Sequence, residues 1–132
     1  MSKYVECNTQ IMNEKALIAA LHEMGYTDLK VGQNIPLMGY EGRQRKERAD
    51  VVIPRKYVRA AANDIGFKKQ ADGTFKAIVS EFDMGQDPKF VQNVSQLSGL
   101  HNSIMAAEQE GWACKRIKNK HGEEVLELER WS

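Results

Sequence analysis

The sequence predicts an α+β domain with two helices packed on one face of a mostly antiparallel sheet, in a ferredoxin-like or related arrangement. Several segments have the alternating pattern of strands and are joined by tight turns, which makes neighbouring strands antiparallel. Two other segments repeat apolar residues at helical spacing, and each such stripe needs a sheet face to cover it. The 132 residues, 42% hydrophobic and 28% charged, suit a single domain over residues 1–132.

The chain begins with a predicted strand followed by a predicted helix. Residues 4–12 alternate apolar and polar side chains, the pattern of a half-buried strand. Asn13 can cap a helix, and apolar residues then recur at helical spacing until Gly25, which can adopt the left-handed conformation of a helix stop. The first helix is therefore predicted at residues 13–24.

Two strands of different character are predicted next. Residues 29–40 favour a strand but contain glycines and Pro36, so we expect a bent or edge strand. Residues 49–53 form a short apolar strand that contains one carboxylate, Asp50. Pro54 ends this strand because it lacks the N–H that the ladder needs.

A hairpin is predicted in the middle of the chain, after a short helical turn at residues 57–62. Residues 65–69 and 74–83 have strand character and flank Asp72 and Gly73. This dipeptide favours a tight turn because glycine tolerates a positive φ.

The second helix and a last hairpin complete the predicted order of elements. Asp87 followed by Pro88 is typical of a helix start, and the apolar spacing predicts a long helix to about Glu110. Beyond it, residues 112–118 and 124–131 flank a His-Gly turn. The predicted order is strand, helix, several strands, helix and two strands.

Charge is distributed unevenly along this chain of net charge +1. The segment from Arg43 to Lys69 has nine basic and three acidic residues, a local charge of +6, which leaves −5 for the rest. Such asymmetry can mark a surface that faces a polyanion. The nine basic residues are Arg43, Arg45, Lys46, Arg48, Arg55, Lys56, Arg59, Lys68 and Lys69.

The start of this segment is the most distinctive stretch of the sequence. Two glycines, one tyrosine that can stack on a base and four cations within six residues are typical of a loop that contacts a phosphate backbone. A solvated, protruding hairpin would give the same pattern. The candidate binding residues are Tyr40, Arg43, Arg45, Lys46, Arg48, Arg55, Lys56 and Arg59.

Catalytic and metal sites have little support in the sequence. His101 is the one histidine on a predicted apolar stripe, but no second histidine stands three or four residues away, so no metal site is predicted. Asp50, Asp64 and Asp83 lie in or beside strands, where two could pair as acid and base, although turn and capping roles account better for Asp64 and Asp83. No nucleophile or nucleotide-binding motif occurs, so we expect no cofactor and favour a non-enzymatic protein.

Location and redox state are predicted from simple features of the chain. No apolar stretch is long enough for a secretion signal or a membrane span, so we expect a cytoplasmic protein without membrane association. Cys7 and Cys114 are far apart in sequence and form no CxxC motif, which favours two reduced thiols.

A set of short elements, taken in order and spacing along the chain, carries a family resemblance: Leu17, Ala20, Leu21, Gly25, Gly39, Tyr40, 49–53, 64–67, Asp72, Gly73 and Gly111. With these elements the chain resembles, over nearly its full length, a family of small uncharacterised proteins encoded in cyanobacterial and plastid genomes as hypothetical chloroplast reading frames. It departs from that family's pattern at residues 81–83, Glu-Phe-Asp, and at His101, which stands near an expected tyrosine. The resemblance implies no activity or cofactor, and it implies a protein partner, for which an ATPase of the AAA class is one expectation.

Three functions therefore stand as hypotheses. The first is a binding or adaptor module that engages a protein partner through a sheet edge or an exposed sheet face. The second is a nucleic-acid-binding protein that uses the basic segment from Arg43 to Lys69. The third is an enzyme or ligand-binding protein with a small pocket near His101 and the sheet. A homo-oligomer formed through the sheet is compatible with all three.

Overall fold

The computed structural model describes residues 2–130 and has an α+β fold. The strands of the larger sheet are β1 (Tyr4–Asn8), β2 (Lys30–Met38), β3 (Gln44–Ile53), β4 (Ile65–Lys69) and β5 (Phe75–Ser80). The helices are α1 (Glu14–Glu23), α2 (Glu81–Gln86) and α3 (Phe90–Gln109), with a 3-10 turn at Arg55–Tyr57. The chain ends in a hairpin of β6 (Trp112–Lys118) and β7 (Glu124–Arg130).

The larger sheet has the strand order β1-β5-β4-β3-β2, and all its neighbours are antiparallel. Strands β6 and β7 form a separate two-stranded antiparallel sheet beside α3. The antiparallel character of the prediction is confirmed. The ferredoxin-like arrangement is not confirmed. It requires a pair of parallel strands, and within residues 2–130 no two neighbouring strands are parallel.

The main core lies between the helices and one face of the larger sheet. Leu17 and Leu21 of α1 and Phe90 and Val94 of α3 are buried there. These two helices pack on one sheet face, as predicted. The strand residues of this core are Val51, Ile53, Ile65, Phe67, Phe75, Ala77 and Val79.

The second face of the sheet is covered by the chain's own β2–β3 hairpin. Leu37, Ala49, Val52 and Ile78 form a second buried cluster on that side. A Cβ atom added to Gly66 of β4 would lie 2.6 Å from the Ala49 Cβ and 3.0 Å from the Leu37 Cδ2. The hairpin therefore packs directly against the backbone of β4, and this part of the sheet face is not accessible to a partner.

Strand β2 is a bent edge strand, as predicted, and its two bends arise from bulges. Between the pairs Val31/Val51 and Ile35/Ala49, the chain advances four residues along β2 but two along β3. The extra residues include Asn34, whose φ is +54° and whose N–H donates to Asp50 Oδ1 at 3.0 Å. Asp50 thus fixes the first bend.

The second bulge lies in β3, near the end of the same hairpin. Between the pairs Pro36/Arg48 and Met38/Gln44, the chain advances two residues along β2 but four along β3. The Arg48 Nη1 donates to the carbonyl oxygens of residues 45, 46 and 47, at 2.9, 3.2 and 3.2 Å. Arg48 satisfies the carbonyls that the bulge removes from the ladder, so its role in the fold is structural.

The three hairpins close with the same turn. Each has a three-residue loop that ends in a glycine at positive φ: +80° at Gly42, +91° at Gly73 and +79° at Gly122. The residue before each loop donates its N–H to the residue after it, at 2.7–2.9 Å. Both predicted hairpin turns are confirmed, with one loop residue more than a two-residue turn has.

Helix α1 agrees with its prediction. The Oδ1 of Asn13 accepts a hydrogen bond from the Ala16 N–H at 3.2 Å and caps the helix, and Gly25 comes after its end with a φ of +99°.

The region around α2 differs from its prediction. The strand predicted at residues 74–83 ends at Ser80, which caps α2 by accepting a hydrogen bond from the Asp83 N–H at 3.1 Å. Asp87 and Pro88 do not start the long helix, which begins at Phe90. Asp87 instead ends α2, because its N–H donates to the Asp83 carbonyl at 3.0 Å.

Candidate functional site

The end of β2 is joined to the start of β4 by Asp64, which is 2% exposed. The backbone of Met38 exchanges two bonds with this residue: its N–H donates to Asp64 Oδ2 at 2.8 Å, and its carbonyl accepts from the Asp64 N–H at 2.9 Å. The Arg55 N–H donates to Asp64 Oδ1 at 2.7 Å. We call this junction of Met38 and Asp64 the seam.

A buried polar network anchors the neighbouring residue, Asn63. Its Oδ1 accepts from the Tyr40 N–H at 3.1 Å, and its Nδ2 donates to Ser80 Oγ at 3.0 Å. Asp83 accepts hydrogen bonds from the Asn63 N–H at 3.0 Å and from Ser80 Oγ at 2.7 Å, and it forms an ion pair with Arg59. The network ties the turn after β2 to α2, which fixes the positions of the side chains around it.

The first pocket lies beside this network and has two exposed aromatic side chains. It has a volume of about 250 Å³, and we call it the aromatic pocket. Tyr40 is 46% exposed and Phe82 is 40% exposed. The Phe82 N–H donates to Ser2 Oγ at 2.9 Å, which holds the start of α2 against the N-terminal segment. The lining residues are Ser2, Tyr40, Ala61, Asn63 and Phe82.

The second pocket lies on the other side of the seam and is basic. It has a volume of about 450 Å³, is lined by Met38 and Asp64 among others, and we call it the basic pocket. Its cations come from Lys30, Arg55 and Lys56. Tyr57 is 43% exposed at this pocket, and the Lys56 Nζ lies 5.0 Å from the centre of its ring.

The two pockets adjoin along the chain. Met38 and Asp64 line the basic pocket, while Tyr40 and Asn63 line the aromatic pocket. Among residues 2–130, the aromatic side chains with at least 40% of their surface exposed are those of Tyr40, Tyr57 and Phe82. All three therefore line these two pockets, and Tyr57 shares the basic pocket with the three cations.

The structure divides the eight residues predicted as a binding site. Tyr40 lines the aromatic pocket, and Arg55 and Lys56 line the basic pocket. Arg43 and Lys46 are exposed on the β2–β3 hairpin.

The other three predicted residues, Arg45, Arg48 and Arg59, make contacts within the fold. Arg48 binds the carbonyls of the β3 bulge, and Arg59 pairs with Asp83. The Arg45 guanidinium lies 4.8 Å from the centre of the Tyr4 ring and donates to the Ser2 carbonyl at 2.9 Å. Burial raises the pKa of Tyr4, and Asp64 raises it further, so the phenol stays neutral and donates to the Asp64 carbonyl at 2.7 Å.

The three aspartates each fix a bend of the backbone. Asp64 holds the seam and Asp83 the α2 network. Burial alone would raise the pKa of Asp50, but hydrogen bonds from the Lys69 and Asn34 N–H groups and from Lys68 outweigh it and lower the pKa. All three carboxylates therefore accept backbone N–H hydrogen bonds from residues distant in sequence, whereas the sequence favoured local turn and capping roles for Asp64 and Asp83.

His101 joins an ionic network between elements. Its Nε2 lies 2.8 Å from Glu23 Oε1, and the Arg116 guanidinium donates to both oxygens of Glu23, at 2.6 and 2.9 Å. The hydrogen bonds from Arg116 lower the pKa of Glu23 to about 2. Partial burial of the carboxylate acts in the opposite direction, and the hydrogen bond with His101 lowers the pKa further. Arg116 also donates to Glu124 at 2.7 Å, so the network attaches the β6–β7 hairpin to α1 and α3.

Among residues 2–130, no three side chains of histidine, cysteine, aspartate or glutamate come together in an arrangement that could hold a metal ion. None of the helices in the same range combines the length and the apolar composition needed to cross a bilayer.

Three pocket residues were missed by the sequence reasoning: Lys30, Tyr57 and Phe82. Lys30 begins an edge strand and Tyr57 was placed in a helical turn, so each resembled an ordinary surface residue. Phe82 was assigned to a strand that ends two residues earlier. One feature of the sequence indicates that Phe82 lies in a helix and not in a strand: the serine at position 80, which can cap a helix that begins after it.

A family model described as "Protein of unknown function (DUF1257)" matches residues 20–126. The chain belongs to this family. The match covers most of the chain and confirms the predicted membership of a family of uncharacterised proteins. Searches of curated proteins and of solved structures each found no match. Membership of the DUF1257 family assigns no activity, so the function has to be inferred from the site itself.

Proposed function

We propose that this DUF1257 protein binds single-stranded nucleic acid across the aromatic and basic pockets. One observation carries the proposal: Tyr40, Tyr57 and Phe82 border two adjoining pockets, one of which is lined by three cations. Exposed aromatic rings and nearby cations are what proteins use to hold a single strand without reading its sequence.

Each part of the surface has a chemical role in this proposal. The rings stack on unpaired bases, which contributes about 1–3 kcal/mol for each base. Lys30, Arg55 and Lys56 contact the phosphates of the strand. A duplex hides the faces of its bases, so the rings favour a single strand over a double helix.

The carboxylates near the basic pocket reduce its positive potential only in part. Both oxygens of Asp64 accept backbone hydrogen bonds inside the seam. Asp28 is the other carboxylate in the lining, against three cations. The pocket therefore keeps a net positive charge, and Arg43 and Lys46 add exposed cations on the β2–β3 hairpin.

The test is binding of a fluorescently labelled oligothymidine of about 12 nucleotides, followed by anisotropy. Tyr57→Ala and Phe82→Ala should each weaken binding about 5-fold or more, because each removes one stacking platform. Lys56→Ala should reduce the salt slope, the change in log K with log salt, by about 0.7, the value for one phosphate contact with a single strand.

The matched controls lie on the β6–β7 hairpin. Val125→Ala and Lys120→Ala change an exposed apolar side chain and an exposed cation there, and both variants should bind like the unchanged protein. If binding is absent, or if the controls weaken it as much as the pocket variants do, the proposal is wrong.

A second function, engagement of a protein partner, is supported by a different observation. The β2–β3 hairpin covers part of the sheet face that a partner could have used, and β2 is interrupted by bulges and contains Pro36. Strand β7, by contrast, is a regular and exposed edge, which is the feature that an added strand from a partner needs.

A further inference from the structure

Strand β7 has the features of an open docking edge. Within residues 2–130 it pairs with β6 alone, its register is continuous from Trp112/Arg130 to Lys118/Glu124, and six of its seven residues are exposed. Proteins usually protect an edge with a bulge, a proline or charged side chains, lysine above all. Within β7 there is no bulge, proline or lysine, and its charged residues are three glutamates and one arginine.

The turn of this hairpin determines which backbone groups of β7 are free. The Asn119 N–H donates to the Glu123 carbonyl, so residues 119 and 123 form a hydrogen-bonded pair. Bonded and non-bonded pairs alternate in an antiparallel ladder. Residues 125, 127 and 129 therefore bond to β6, while the N–H and C=O groups of 124, 126, 128 and 130 point away from it.

The side chains of β7 define the chemistry of an added strand. Leu126 and Leu128 lie on one face, and Glu127 and Glu129 lie on the other. Leu128 is 47% exposed, and both glutamates are exposed. A strand that pairs with this edge would place apolar side chains beside the leucines and basic side chains beside the glutamates.

We propose that β7 binds an extended basic segment of a partner protein, in which basic and apolar residues alternate, as an added strand. Backbone hydrogen bonds to residues 124, 126, 128 and 130 hold the segment, and the glutamates select its charge. A second copy of β7 is a less complementary occupant than a basic segment, because each β7 strand has three glutamates and one arginine.

The test uses a labelled peptide of about seven residues that alternates lysine and valine, with binding followed by anisotropy. Leu128→Pro removes an N–H that points away from β6, so the hairpin keeps its own ladder of hydrogen bonds. The peptide loses one hydrogen bond and clashes with the proline ring. Binding should fall about 10-fold or more. Leu128→Ala keeps the N–H and should lose much less.

Charge is tested separately. Glu127→Lys should weaken binding of the lysine-valine peptide severalfold, and a glutamate-valine peptide should bind poorly to the unchanged protein. Tyr57→Ala, which lies in the basic pocket, should leave peptide binding unchanged, so this proposal and the nucleic-acid proposal can fail independently.

A test on the unchanged protein covers the case in which Leu128→Pro does not fold. A lysine-valine peptide that is N-methylated on alternate residues cannot donate along one edge, and it should bind at least about 10-fold more weakly than its parent. Equal binding of these two peptides, or of the lysine and glutamate peptides, would overturn the proposal. A third outcome would also overturn the proposal: the protein sediments as a dimer without peptide, and Leu128→Pro dissociates that dimer. The strand that occupies the edge would then belong to a second copy of the chain.

Discussion

The β2–β3 and β6–β7 hairpins close with the same glycine turn but differ in the path of their strands. In β2–β3, two bulges bend the strands, and the hairpin folds across the sheet until Met38 meets Asp64. In β6–β7, seven consecutive pairs keep one register, and the hairpin lies beside α3. The type of turn therefore does not determine how a hairpin packs against the rest of the fold.

The difference teaches how each hairpin exposes binding groups. In the bent hairpin, the N–H groups of Asn34, Met38 and Tyr40 bond to side chains within the fold. The features proposed for a ligand there are the side chains of the two pockets beside the seam. The regular hairpin satisfies one edge only, so what remains is backbone, which suits an added strand. We therefore propose that the bent hairpin contributes to a site that binds its ligand through side chains, and that the regular hairpin binds its partner through backbone groups.

The largest expected effect comes from breaking the seam. Asp64→Ala leaves the N–H groups of Met38 and Arg55 without their acceptor in a buried place, which should lower the free energy of unfolding by about 2–4 kcal/mol. Thermal or urea unfolding measures this. Asp72→Ala, in an exposed turn, is the matched control and should have a much smaller effect. Similar losses in both variants would mean that the seam does not hold the bent hairpin.

A smaller loss is expected where the bent hairpin packs on the sheet. Gly66→Ala introduces a Cβ 2.6 Å from that of Ala49, so the hairpin or β4 must shift, which should cost about 1–3 kcal/mol in urea unfolding. Gly99→Ala is the control, because its added Cβ meets no atom within 4 Å and lies inside α3. That variant should be more stable by about 0.5–1 kcal/mol. If Gly66→Ala is also stabilising, the hairpin does not cover the sheet as described.

The smallest effect concerns the attachment of the regular hairpin. Arg116 holds the pKa of Glu23 near 2, below its ordinary 4.5. A lowered pKa in the folded state means that Glu23 contributes stability above about pH 4.5 and loses it as the pH falls toward 2. The side chain is about a third exposed, so solvent screening limits the contribution to about 0.5 kcal/mol.

Glu23→Gln should remove this pH dependence. Amide hydrogen exchange in β6 should speed up as the pH falls from 4.5 to 2, after correction for intrinsic rates, and the variant should show the faster exchange at every pH. Glu108→Gln, on the exposed side of α3, serves as the control. If exchange in β6 has the same pH dependence in both variants, the ion pair does not attach the hairpin.

Local patterns in the sequence were enough to predict much of the fold. The Asn13 cap, the glycine turns and the apolar stripe of α1 depend on near neighbours, and each prediction agrees with the structure. The boundary at Ser80 was wrong, because a strand and a capped helix meet there without a break in apolar character. The sequence gives little sign of a six-residue helix that depends on a tertiary network.

The candidate site was predicted only in part, for a physical reason. Tyr40, Arg55 and Lys56 were named from composition, but composition cannot show that Arg45, Arg48 and Arg59 bind backbone carbonyls or a buried carboxylate. Those contacts depend on two bulges and on the return of β2 to Asp64. Phe82 joins Tyr40 through the same long-range folding, which no spacing in the sequence encodes.

The most direct test of the central claim is a nuclear magnetic resonance titration of the ¹⁵N-labelled protein with an oligothymidine of about 12 nucleotides. The nucleic-acid proposal predicts that amide signals of residues 38–40, 55–57, 61–64 and 82 shift together, while those of β6 and β7 stay in place. Shifts confined to residues 112–130, or no shifts at all, would contradict the proposal that the pockets beside the seam bind a single strand.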